Sequence, residues 1–128
     1  MNIELRRIVG PYGIVAGSGN YTLIREVMFN VGKENEYLKD MNSGFYGTFE
    51  QAIMGLRRQS LRDGYLSEEE SLTTLDAYIE EVKKIDNDIK EYIRNHKTEI
   101  YNMYKHVEEG IREKSESEII DEEESTSL

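Results

Sequence analysis

The chain has 128 residues, a net charge of −10 and no cysteine, which allows one domain with a modest core and excludes a disulfide framework or a thiolate metal site. No apolar run approaches the roughly 18–20 residues that span a bilayer, and the segment from Met1 to Arg7 lacks the apolar stretch of a secretory signal. A soluble, cytoplasmic chain without a membrane segment is expected. The charge is uneven: residues 115–128 carry −6, whereas residues 1–65 carry +1. An acidic excess opposes phosphate backbones and suits a basic partner, so direct nucleic-acid binding is disfavoured.

The first 47 residues read as strands and turns. Ile3 and Leu5 alternate with polar neighbours, and the run to Val9 stops at Gly10-Pro11-Tyr12-Gly13, where proline removes a ladder donor. Ile14 to Ala16 is a short apolar segment, and Gly17-Ser18-Gly19-Asn20 is a second turn cluster. Tyr21 to Val31 keeps an apolar period of two through Val27, Phe29 and Val31. Gly32 to Asn35 makes a third turn, and Glu36 to Asp40 is a short fourth strand.

At Thr48 the period changes to 3.6. Thr48 with Gln51 fits a capping box, and Phe49, Ala52, Ile53, Leu56 and Leu61 then share one helix face. Arg57, Arg58 and Arg62 lie off that face, with Arg6 and Arg7 as candidate neighbours, and such a group holds phosphates or carboxylates by charge-assisted bonds. Asp63-Gly64 is the expected stop. Ser67 with Glu70 forms a second capping box.

A long helix follows, with an apolar seam at Leu72, Leu75, Ile79, Val82, Ile89, Ile93, Ile100, Met103 and Val107. The seam falters at Asp86 and His96, where Asp86-Asn87-Asp88 and Asn95-His96 are poor helix formers and a kink or fold-back is expected. A helix of about 40 residues is roughly 60 Å long, more than the small sheet covers. Leu72, Leu75, Ile79, Val82, Ile89, Ile93, Ile100 and Met103 are therefore the expected self-association seam of a homo-oligomer. Off the seam, Glu80, Glu81, Asp88 and Glu91 form an acidic face suited to a partner.

No catalytic motif survives inspection. Gly32-Lys33 lacks the glycine and hydroxyl of a phosphate-binding loop, and Gly17-Ser18-Gly19 is a single Gly-x-Gly explained by a hairpin turn. His96 and His106 stand about 15 Å apart along a straight helix, too far to share an ion. A non-enzymatic protein with no metal and no cofactor is expected.

The stretch Gly44-Phe45-Tyr46-Gly47-Thr48-Phe49-Glu50-Gln51-Ala52-Ile53, preceded by Asn20-Tyr21-Thr22-Leu23, resembles a pattern in small phage- and prophage-encoded proteins of unknown function. Those proteins have a hairpin-rich start, a similar helix opening and a further acidic helix; the likeness covers roughly residues 1–95. It implies a binder that inhibits a host protein inside the host cell, of the anti-defence or anti-CRISPR kind, with an acidic helical surface standing where phosphates would lie. An assembly protein dimerising through the long helix, or a replication or transcription accessory using the Arg57/Arg58/Arg62 face, are the alternatives. The expected fold class is α+β: an antiparallel sheet of three or four strands, one packed helix and a long acidic helix. Residues 1–114 form the expected domain, and residues 115–128 a disordered acidic tail.

Overall fold

The computed structural model describes residues 3–67 and 75–126. Four antiparallel strands, β1 (Ile3–Val9), β2 (Tyr12–Ala16), β3 (Tyr21–Phe29) and β4 (Tyr37–Tyr46), lie side by side in chain order. Three helices follow: α1 (Phe49–Ser67), α2 (Leu75–Asn95) and α3 (Lys97–Thr126). The arrangement is α+β. One sheet face packs against the helices, through Leu5, Tyr12, Ile14, Ala16, Tyr21 and Leu23 from the strands and Phe49, Ala52, Leu56, Ile85, Ile89, Ile100, Met103 and Val107 from the helices. These side chains remove the apolar area that drives folding.

Two irregularities set which side chains reach that core. Arg7 adopts a left-handed backbone with φ 54°, and the β1–β2 register slips between Leu5 and Val9. This bulge lets Leu5 and Ile8, three residues apart, both be buried. A second slip lies opposite Leu23 and Ile24, where Ser43 is the extra residue of β4. Its carbonyl accepts a hydrogen bond from Gln59 Nε2 on α1 at 2.9 Å.

The fourth strand runs ten residues rather than ending at Asp40. Its second half, Met41 to Tyr46, carries Asn42, Ser43 and Gly44 and a bulge, which hide the period of two. Thr48 caps α1 as expected, its Oγ1 accepting from the Gln51 amide at 3.1 Å. The helix does not stop at Asp63-Gly64 but continues to Ser67. Asp63 is held by the Tyr12 hydroxyl and by Arg25 at 3.6 Å, and such ties outweigh the roughly 1 kcal/mol that a mid-helix glycine costs.

Among the described residues the long helix breaks once, at His96, and is continuous through Asp86. At the break the His96 amide bonds the Ile93 carbonyl at 3.3 Å, and the His96 ring stacks on Tyr92 with centroids 3.8 Å apart. Asp86 stays helical because Arg57 of α1 holds its carboxylate at 2.6 Å. The bend lets both halves use the same sheet: α2 packs on α1 and β1, and α3 on β1 and β2.

The seam is therefore corrected. Ile89, Ile100 and Met103 are buried in the chain's own core together with Ile85, and Ile93 packs against them. Val82 is half-buried, and among the described seam residues only Leu75 and Ile79 stay exposed. Leu72, and Glu70 of the second capping box, lie outside the described residues. The segment expected to be a disordered tail is helical as far as Thr126, because a helix already nucleated on the sheet propagates through Glu-rich sequence without a new nucleation cost. Among the described residues no helix is long and apolar enough to cross a membrane.

Candidate functional site

The acidic positions on α2 share one side. At about 100° per residue, Glu80, Glu81, Asp88 and Glu91 fall within about 100° of the helix circumference, roughly opposite Ile93 and Val82. Glu80 and Glu91 are exposed, and Glu81 and Asp88 are half-buried at the margin. Buried Ile85 and Ile89 fix the helix beneath them. Lys83 pairs with Glu80 at 3.8 Å on the surface, a contact of little energetic weight.

The arginine group does not form one face. Arg57 turns toward α2 and donates to Asp86 at 2.6 Å and 3.3 Å, which raises its own pKa further. Arg58 turns the other way, toward β4. Arg62 is exposed one turn beyond Arg58. Arg6 and Arg7 lie apart from all three. Arg6 spans the open sheet face, bidentate to Asp40 at 2.9 Å and 2.7 Å and also bonded to Glu4 at 2.9 Å and Glu26 at 3.2 Å; Arg7 adds a bond to Glu26 at 3.2 Å. The Arg6 guanidinium holds the Asp40 carboxyl below its usual range.

Two further surfaces escape any reading of local pattern. The β3–β4 hairpin extends beyond β2, whose pairing ends at Tyr12 with Arg25. Phe29 stacks on Tyr37 with centroids 5.5 Å apart, and Met28, Val31, Tyr37, Leu38 and Met41 are exposed. Apolar side chains gathered on an extended ribbon mark a contact surface.

The second is an open groove of about 480 Å³ between the β4 edge and α1, lined by Phe45, Tyr46, Gly47, Glu50, Gln51, Met54 and Arg58. Phe45 is 65% exposed and Met54 55%. The helix approaches β4 closely here because Gly55 lacks a side chain; a Cβ at that position would collide with the Tyr46 hydroxyl. At one end Glu50 accepts from the Tyr104 hydroxyl at 2.7 Å, which lowers the Glu50 pKa. At the other end Arg58 has no ion pair among the described residues. Such a groove binds and orients; it takes an apolar group in the middle and opposite charges at its ends. Its parts come from a strand edge and two turns of helix, so only the aromatic Phe45 beside the Thr48 cap hinted at it.

Comparison with protein-family models, curated proteins and solved structures gave no match.

Proposed function

We propose that this chain is a non-enzymatic binding protein that acts by covering a surface of another protein. Following the phage-type resemblance of residues 44–53, that protein is a component of the host cell, and the outcome is inhibition. The observation that carries the reading is the stripe of Glu80, Glu81, Asp88 and Glu91 on a helix whose adjoining side is anchored by buried Ile85 and Ile89. Carboxylates held on a fixed helix meet a basic partner without the ordering cost that a loose acidic segment pays.

A basic groove that ordinarily takes nucleic acid is the class of surface this stripe fits. The division of Arg57 from Arg58 removes the basis for a single arginine face, and the burial of Ile89, Ile100 and Met103 removes most of the seam that a coiled-coil dimer needs. The test is affinity capture from host lysate at two salt concentrations, with the intact chain and with Glu80→Lys, Glu81→Lys, Asp88→Lys, Glu91→Lys combined. A partner held by the intact chain, weakened by salt and lost with the four reversals is expected. A partner held equally by both chains overturns the acidic-face reading.

A further inference from the structure

We infer that the β4 edge and the groove beside it form a docking site for an extended segment of a partner protein, with a basic residue, an apolar residue and an acidic residue at alternate positions. The ligand is a strand that adds antiparallel to β4. The inference goes beyond the acidic stripe of α2 and shares with it only the premise that the partner is a protein.

The strand order leaves β4 at the sheet's edge, and its residues from Tyr37 to Asn42, together with Phe45, are exposed. Edge strands are usually blunted by lysine, proline or a bulge. Here Lys39 and Asp40 sit in the distal half, the bulge carbonyl at Ser43 is already bound by Gln59, and the stretch from Met41 to Gly47 carries neither charge nor proline. Next to that stretch the groove exposes Phe45 and Met54, an arrangement that gives an added strand both a backbone ladder and a side-chain pocket.

Charge selects the occupant. Before residue 63, Arg6, Arg7, Arg25 and Arg57 are all ion-paired, whereas Arg58 and Arg62 are not, among the described residues. In a chain with 26 acidic and 16 basic residues, the unpaired Arg58 guanidinium lining an apolar groove favours a carboxylate on the ligand. Glu50 at the far end favours a cation there.

Direction and spacing follow from the helix. Gly55 packs on Tyr46 and Gln59 reaches Ser43, so α1 runs antiparallel to β4, and a strand antiparallel to β4 runs alongside α1 from Glu50 to Arg58. Eight helical residues rise about 12 Å. Residues four apart in a strand span about 13 Å, with the residue between them on the same face. The ligand therefore reads, from its N-terminus, Lys or Arg, any residue, an apolar residue, any residue, Asp or Glu.

The probe is the blocked peptide Thr-Lys-Thr-Leu-Thr-Glu-Thr, added at up to millimolar concentration to the isotope-labelled full chain. Saturable amide shifts confined to residues 42–47 and 50–58 are expected, with protection of β4 amides from exchange. Replacing the peptide's Glu by Lys should weaken binding about tenfold. Arg58→Glu should invert that preference, so that the Lys-x-Leu-x-Lys peptide binds better than the original, a readout that loss of folding cannot imitate. Absence of saturable shifts, or shifts unchanged in Phe45→Ala and Arg58→Glu, overturns the inference. Concentration-dependent protection of β4 without peptide, lost in Phe45→Ala, assigns the edge to a second copy and also overturns it. A failed peptide beside a captured partner that needs the α2 carboxylates leaves the binder reading intact; a bound peptide with no such capture does the reverse.

Discussion

The hydroxyl of Tyr104 on α3 donates to the carboxylate of Glu50 in the first turn of α1, 2.7 Å away. The two residues are 54 positions apart in the chain. Tyr104 also meets Phe49 and Tyr21 edge-on, with ring centroids 5.7 Å and 6.5 Å apart, so this one side chain joins the last helix, the first helix and β3.

Removing that hydroxyl isolates the polar part of the junction. Tyr104→Phe should lower stability by about 1 kcal/mol, the lower range for a charged hydrogen bond because Glu50 is exposed. Denaturant unfolding followed by circular dichroism checks it, and an unchanged midpoint would contradict it.

Acid and alkali should weaken the fold through different residues. Arg6 depresses the Asp40 pKa and Tyr104 depresses that of Glu50, so the unfolded chain takes up protons first; both contributions are present above the ordinary carboxylate range and fade as pH falls through the folded values. Burial, aided by the Asp63 hydrogen bond, pushes Tyr12 up to about 12, and burial pushes Tyr21 up to about 12. There the folded chain retains protons longer, and stability is lost as pH rises from 10.0 toward 12. Ultraviolet titration of tyrosinate should show a late-ionising subset of the nine tyrosines.

Ile89→Asp should unfold the chain rather than change its oligomeric state. The side chain is buried between α2 and the sheet, and an unpaired charge in that setting costs about 3–5 kcal/mol. Leu75→Ser with Ile79→Ser, at exposed positions, should leave the melting temperature within roughly 2 °C. Circular dichroism and light scattering on both variants separate the two uses of the seam.

The neighbouring arginines should behave differently. Arg57→Ala loses the contact to Asp86, and a double-mutant cycle with Asp86→Ala should return about 0.5–1 kcal/mol of coupling. Arg58→Ala should be neutral in the same assay.

Gly110→Ala should detach α3 from the sheet. A Cβ there would stand 2.6 Å from the Gly19 amide nitrogen and 2.9 Å from the Ser18 carbonyl carbon, both main chain and unable to rotate away. A loss of about 1–3 kcal/mol is expected, with amide shifts centred on residues 17–20.

Local chemistry made part of this architecture readable in advance. The Thr48 cap, the Gly17-to-Asn20 turn and the break at Asn95-His96 each depend on a few adjacent residues, and each stands where those residues put it. Asp86 looked like a second break only because Arg57 is 29 residues away in the chain. The bulges at Arg7 and Ser43 are set by the strand opposite, and the seam shifted from Asp86 to Ile85 because the sheet, not a second helix, chose the buried side. The carboxylate stripe could be placed from spacing alone. The Phe45–Met54–Arg58 groove could not, since nothing in the sequence says which strand ends at the edge.

The role of α3 in closing the core bears on how the chain is made. Leu5, Ile14 and Leu23 share their core with Ile100, Met103 and Val107 as well as with α1 and α2, so the sheet completed by residue 46 is not fully covered until some 60 residues later. At about 5–20 residues per second, that gap lasts about 3–12 s on the ribosome. During it the β3–β4 hairpin and the part of the apolar face that α3 later covers are available to chaperones and to neighbouring nascent chains, and a chain released before Val107 should be cleared by proteolysis rather than persist as a smaller fold.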